Sequence, residues 1–302
     1  MSENRKAPWR MFLPFLLVVA LLGAWSVYWF FAISAAKSFA QTQRASLAEQ
    51  GFTLACAKET WGGYPFRFEF TCQTPLISFP KGASVALSSF AVIAQAYDPM
   101  HAVMLADGPT TVTEPNGTAH LIRHGQALAS IVASLNELPR ITAEIPDVST
   151  DDGLAIAMLH AASRPADGGN IDIAVIGEKL VFTQAGKPTL KADESQLLGL
   201  FEPQGNRLAI SDLHATSGSL KVWGTGNAGI DGARMADGTL NLQTNDPQGL
   251  LALVEPYEAL TPKQKDGILA FLMVMGNRVQ VTAKAGKLYV GPVGVADLKP
   301  LF

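Results

Sequence analysis

From Met11 to Ile33 the chain reads MFLPFLLVVALLGAWSVYWFFAI, 23 residues with no charged side chain. As a helix rising 1.5 Å per residue, this run extends roughly 34 Å, enough to cross the ~30 Å hydrocarbon core of a bilayer. Arg5, Lys6 and Arg10 precede it, which by the positive-inside tendency keeps the N-terminus in the cytoplasm. Trp25, Tyr28 and Trp29 crowd its distal half, where indole and phenol rings suit the headgroup level. The expectation is a cytoplasmic tail over 1–10, a single transmembrane helix over 11–33 and a body beyond the membrane. Residues 34–50 (SAAKSFAQTQRASLAEQ) read as a juxtamembrane helical linker ending at Gly51.

A cleaved signal peptide is the rival reading, because ISAAKSFAQ offers small residues in an A-x-A-like setting. Its apolar core would exceed the usual ~7–15 residues, and bulky aromatics abut the would-be site. A lipoprotein is a poorer fit still, since Cys56 follows FTLA well past the apolar run. The uncleaved anchor is the preferred reading.

The chain carries a net charge of −3, from 23 basic and 26 acidic residues. Three of the basic and one of the acidic residues lie in the first 33, so the remainder holds 20 against 25, a net −5. No block of Lys or Arg is present to neutralise a run of phosphates, which argues against nucleic acid as a partner. With 48% apolar and 16% charged residues, disorder is also excluded.

Two cysteines, Cys56 and Cys72, fall in the exported part, where disulfides form and persist. Phe52, Leu54 and Cys56 share even numbering, as do Phe66, Phe68, Phe70 and Cys72, so each set lines one face of a strand. The intervening KETWGGYP is rich in turn residues. An antiparallel hairpin with Cys56 opposite Cys72 and a structural disulfide between them follows. Closing about 17 residues is worth ~3 kcal/mol in the chain-entropy model. That register also opposes Glu59 to Glu69, which like charges resist unless a bulge or wide loop shifts the pairing. Two buried free thiols, or a reactive pair, are the alternatives. A redox pair would sit closer together in sequence.

Beyond Cys72, short alternating stretches are punctuated by Gly, Pro, Asp and Asn: 83–97, 140–149, 170–177, 179–192 and 206–226. These are strand and hairpin signals. GSLKV (218–222), GTLNL (238–242) and GKLYV (286–290) echo one another as hairpin starts, at spacings too irregular for a solenoid. Two late helices have marked starts: Asp246-Pro247 before Leu250 and Leu251, and the capping-box pattern Thr261-Pro-Lys-Gln264 before ILAFLMVM and Gly276. The segment 191–201 (KADESQLLGLF) reads as a third, shorter helix. The fold class is mainly β (β-rich α+β): curved antiparallel sheet with two late helices, behind one N-terminal transmembrane helix. The body is 51–302, and if it divides, the halves are 51–146 and 147–302.

The chemistry is sparse. His120 and His124 stand four apart but lack the accompanying Glu of a zinc protease, and Gly125 marks a turn. Asp151-Asp152-Gly153 and Asn116-Gly117-Thr118 read as turns, and WGTGNAG (223–229) lies among strand signals rather than before a helix. There is no nucleophile elbow, P-loop or dinucleotide fingerprint. The sequence therefore points to no catalytic residue, no cofactor and no metal.

The short basic tail, the single span, the pattern from Gly51 to Cys56 and GGYPFRFEFTC at 62–72 resemble an uncharacterised bacterial envelope family, domain-of-unknown-function family 2125. The ending GKLYVGPVGVADLKPLF is similar as well, with Lys299 where a second proline is expected. The resemblance singles out Gly63, Tyr64, Pro65, Phe66 and Arg67 as its motif. It implies export and anchoring in the bacterial inner membrane, with the body in the periplasm, and no catalytic residues. More distantly the texture resembles AsmA-like envelope proteins, a fold-level analogy that implies lipid handling. The expected function is a non-enzymatic periplasmic module binding or shielding a lipid or amphiphile. The alternative is a scaffold for an envelope protein partner.

Overall fold

The computed structural model describes residues 9–134, 137–254 and 261–299. Arg5, Lys6 and the rest of 1–8, together with the close at 300–302, lie outside the described residues.

The apolar run and the proposed linker form one uninterrupted helix, α1 (Trp9–Glu49). Its 41 residues reach roughly 60 Å at the standard rise. It ends where Gly51 takes φ +87°, with Phe52 N–H donating to Leu47 O at 2.9 Å and Gly51 N–H to Ala48 O at 3.0 Å. This pair of bonds satisfies two carbonyls that the last turn leaves open. The apolar surface from Phe12 to Leu22 is exposed, and α1 taken as a whole is long and apolar enough to cross a membrane.

The chain then enters short strands: β1 (Thr53–Ala55), β2 (Lys58–Gly62), β3 (Arg67–Gln73), β4 (Leu76–Ser78), β5 (Ser84–Ala86) and β6 (Ser89–Gln95). After these come β7 (Asp98–Asp107), β8 (Thr110–Thr113), β9 (Ala119–Arg123) and β10 (Ala127–Val132). Six long strands follow: β11 (Arg140–Thr150), β12 (Leu154–Pro165), β13 (Ile171–Phe182), β14 (Leu190–Glu202), β15 (Arg207–Ser217) and β16 (Leu220–Ile230). The end comprises β17 (Ala236–Thr244), α2 (Pro247–Val254), α3 (Pro262–Val274), β18 (Arg278–Lys284), β19 (Lys287–Val290) and β20 (Val293–Asp297).

All described strands belong to one antiparallel sheet, curved and not closed. From β10 to β20 each strand pairs with its successor, a meander in which sequence order is spatial order. On the other side of β11 the sheet forks. Residues 140–144 of β11 pair with β10, which leads on through β7, β6 and β3 to β2. Ser149 and Thr150 pair with β9, which leads through β8, β5 and β4 to β1. The branches part at Pro146, which has no N–H to give, and Asp147, whose φ is +52°. The described strands before and after this point thus share one hydrogen-bonded sheet.

Two sequence expectations need correction. The stretch 191–201 is strand, not helix: it is most of β14, laddered to β13 on one edge and β15 on the other. Its helix formers are overruled because ladders on both edges and a half-buried face outweigh intrinsic preference. The first hairpin also has another register. Glu59 faces Cys72 and Gly62 faces Glu69, while the strand before Cys56 pairs with β4 instead. The shift separates the two carboxylates and leaves Glu59 free to meet Arg44, with Nη1 to Oε1 at 2.7 Å.

Packed clusters of buried side chains form where a helix covers the sheet. One joins Trp29 and Ile33 of α1 to Ala96, with Trp25, Trp61 and Phe68 against them. The other joins Ile268 and Leu272 of α3 to Val279, flanked by Leu242, Leu251, Val290 and Val293. The late helices thus cover the sheet only at its β17–β20 end. The starts of α2 and α3 follow their caps. Asp246 Oδ1 accepts from Gly249 N–H at 2.9 Å, and Thr261 and Gln264 form a reciprocal capping box. Gly276 at φ +64° and the Asn277 N–H to Leu272 O bond at 3.2 Å close α3.

Candidate functional site

Two features concentrate chemistry: a clasp between α1 and the first hairpins, and a groove on the long strands.

The clasp is built from the WGGYPFRFEFTC stretch. Gly63 turns the hairpin at φ +99°, and a Cβ there would lie 2.5 Å from Arg67 O. Only glycine fits so close an approach. The turn thrusts Tyr64 and Pro65, joined by a cis peptide, toward α1. Trp25 Nε1 donates to Pro65 O at 2.8 Å, and Trp29 Nε1 to Arg67 O at 3.0 Å. Ser26 Oγ and Tyr64 OH lie 2.8 Å apart, and Tyr28 OH donates to Ala96 O in the β6–β7 turn at 3.0 Å. The Trp29 ring meets Tyr64 edge-on at 5.3 Å and stacks on Phe68 at 5.9 Å. Farther along α1, Arg44 lies over the Phe70 ring at 5.4 Å. The sulfurs of Cys56 and Cys72 are 1.97 Å apart, a disulfide distance, and link the segment after β1 to β3.

The inward side of β3 carries Phe68, Phe70 and the fully buried Cys72, whereas Phe66 is 68% exposed and leaves that row. Arg67 is held through its backbone, and its side chain is exposed near Glu69 at 3.6 Å. Trp29, read from sequence as part of a headgroup belt, is instead 4% exposed under the hairpin. A neighbouring apolar cavity of about 300 Å³, lined by Leu47, Phe52, Pro75, Ile77 and Phe90, sits beneath the end of α1.

The groove lies across β11–β15 and encloses about 660 Å³, within the ~300–1,000 Å³ range of small-molecule sites. Two cross-strand rungs line it on one face. The first is Thr142–Ala162–Ala174–Leu198 and the second Arg164–Asp172–Leu200–Ala209. A register shift between Leu198 and Gly199 breaks the β14–β15 ladder beside it. Gly199 permits that irregularity, since a Cβ would stand 2.7 Å from Ala209 O. Arg140 and Arg164 stand on the rim. Arg164 Nε donates to Asp172 Oδ2 at 2.8 Å, while Arg140 has no ion pair among the described residues. The arrangement offers alanine and leucine for an apolar chain and guanidinium for an anionic head.

The histidines do not converge. His120 Nε2 lies 3.0 Å from Glu114, and His124 is bonded to Thr110 Oγ1 and the Gly125 carbonyl. His101 meets Ser130 Oγ at 2.8 Å. His160 stands between Glu144 and Glu178 at 3.8 and 3.6 Å, half-exposed and outside the groove lining. Among the described residues there is no group of three His, Cys, Asp or Glu side chains placed to hold a metal ion. Asp151-Asp152-Gly153 forms the β11–β12 turn, Asn116-Gly117 the β8–β9 turn, and WGTGNAG lies within β16.

Sequence reasoning missed both the groove and the clasp partners. The groove needs four strand registers at once, and its only trace is small or aliphatic residues at alternate positions of neighbouring strands. The clasp had a visible half, the GGYPFR turn, but its partner residues read equally well as lipid-facing.

Among the described residues one helix is long and apolar enough to span a membrane, and it is fastened at its distal half to a curved antiparallel sheet, an arrangement compatible with a single-pass anchored β protein. The profile of domain-of-unknown-function family 2125, described as an uncharacterized protein conserved in bacteria, matches residues 29–299. The chain belongs to that family. No curated protein and no solved structure matches it.

Proposed function

We propose that this is a single-pass protein of the bacterial inner membrane whose body lies in the periplasm and binds or shields a lipid or amphiphile. The observation that carries this reading is the groove on β11–β15, where an apolar floor meets the Arg140 and Arg164 rim on a sheet tethered through α1. Apolar walls with a few placed polar groups are the usual make-up of ligand sites. The role assigned is non-enzymatic: the groove holds and covers an acyl chain, and no bond is made or broken. A photo-crosslinking amino acid in place of Leu200 or Ala209, introduced into the full chain in cells, tests this. An adduct with the mass of a lipid is expected. Failure to capture any lipid at either position would end the groove reading.

The scaffold reading has its own observation. β20 and β2 each pair on one side only among the described residues, leaving edges open to strand addition by an envelope protein. A stoichiometric protein adduct from probes beside β20 would favour it.

A further inference from the structure

The clasp takes up helix that a bilayer needs. Met11 is the first residue of the charge-free run, and the body takes hold at Trp25 through Pro65 O. The helix clear of the body and free of charge is therefore 11–24, roughly 21 Å long at 1.5 Å per residue. A bilayer core of ~30 Å asks for about 20 residues. The shortfall of roughly 9 Å corresponds to about six more residues, reaching Phe30. Those residues are the ones that the hairpin tips grip.

Two tips reach this depth. The β2–β3 turn brings Tyr64 and Phe66, 53% and 68% exposed, and the β6–β7 turn brings Tyr97, 70% exposed. Phe30 stacks on Tyr64 at 5.7 Å, so the exposed rings of tip and helix form one surface. Neither tip carries a charge between its first flanking ones, Arg67 on one hairpin and Asp98 on the other. A soluble hairpin turn is seldom so aromatic, whereas the boundary between headgroups and acyl chains selects such rings.

We propose that the β2–β3 and β6–β7 tips form an aromatic collar seated in the headgroup–acyl boundary of the bilayer that α1 crosses. The occupant of the exposed surface is lipid, argued from its continuity with the span and from the length that the span lacks. Arg67 and Asp98 set the depth, since charged groups resist the hydrocarbon. The body is then held upright by two hairpins as well as by a helix. This inference rests on reading α1 as a membrane span.

The test places an environment-sensitive fluorophore on single cysteines of the otherwise intact, disulfide-bonded full chain. The variants are Phe66→Cys, Tyr97→Cys, Val18→Cys in the span and Asn116→Cys in the remote β8–β9 turn. Each is reconstituted in phosphatidylethanolamine–phosphatidylglycerol vesicles containing lipids with a nitroxide at the headgroup or deep in the chain. Labels at 66 and 97 should emit blue-shifted from the label at 116 and be quenched several-fold more by the shallow nitroxide. The label at 18 should respond to the deep one. Tip labels as water-exposed as the label at 116 would overturn the collar. Tip labels shielded from water yet unquenched by either lipid would overturn it too, pointing to a second protein copy. A label at 18 that no lipid quenches would instead remove the span itself.

Discussion

The region around α1 and the run from β11 to β16 are written in the same alternating pattern, yet they are stabilised differently. In the first, short strands of three to ten residues are pressed under a helix, with Trp29, Cys72 and Ala96 almost wholly buried and a disulfide across the fold. In the second, strands of eleven to thirteen residues rely on their ladders, and most side chains on both faces are half-buried. Neither packed cluster lies in it. Length explains the contrast. A short strand has too few ladder bonds to hold itself and needs side-chain burial, whereas a long meander repeats its pairing over many rungs. The uncovered sheet is also where the groove across β11–β15 opens.

That contrast can be broken most severely by Trp29→Ala, which removes the ring stacked on Phe68 and the Nε1 bond to Arg67 O. Deleting a buried Trp side chain costs about 3–5 kcal/mol. Urea unfolding in micelles, followed by near-ultraviolet dichroism, should show this loss, while hydrogen exchange in β12–β15 stays unchanged. Equal deprotection of both regions would erase the distinction. Next in size, Cys56→Ser with Cys72→Ser reopens a loop worth ~3 kcal/mol. Limited proteolysis should then cut between residues 52 and 75 first, with the meander intact.

At the opposite end, Thr261→Ala breaks one half of the capping box of α3, a loss of about 1 kcal/mol. Exchange mass spectrometry should confine the effect to α3 and β18–β20. The smallest effect concerns Asp107 at the end of β7. Hydrogen bonds from Ser89 and Gln126 hold its carboxyl below the ordinary value of 3.8. A depressed folded value means stabilisation that is present above pH 3.8 and lost as pH falls through the lower folded value. Asp107→Asn should flatten that acid limb in pH-titrated urea midpoints. An unchanged limb would show that the ionised carboxylate does not contribute.

Much of this architecture was legible along the chain because it is local. The caps of α2 and α3 and the Gly51 terminator each depend on residues within a few positions. The β15–β16 hairpin at 206–226 did as well, since turn chemistry and period-two alternation act over the same range. The Cys56 region was harder. Alternation grouped each cysteine with its apolar neighbours on one strand face but could not tell which strand lay opposite, and β1 found β4 across a gap of twenty residues. KADESQLLGLF misled for the same reason: its propensity is local, and its ladders to β13 and β15 are not.

The amino-acid order alone decided the long apolar helix, the β-rich body and the helix caps, because each follows from charge, periodicity or contacts along a few residues. Only the tertiary structure decided that Trp25 and Trp29 bind a hairpin turn, that β11 forks at Pro146, and that four strands align alanines and leucines beneath two arginines. Those outcomes depend on registers between distant segments. A shift of one residue would turn every side chain to the other face, and no short stretch of sequence records the choice.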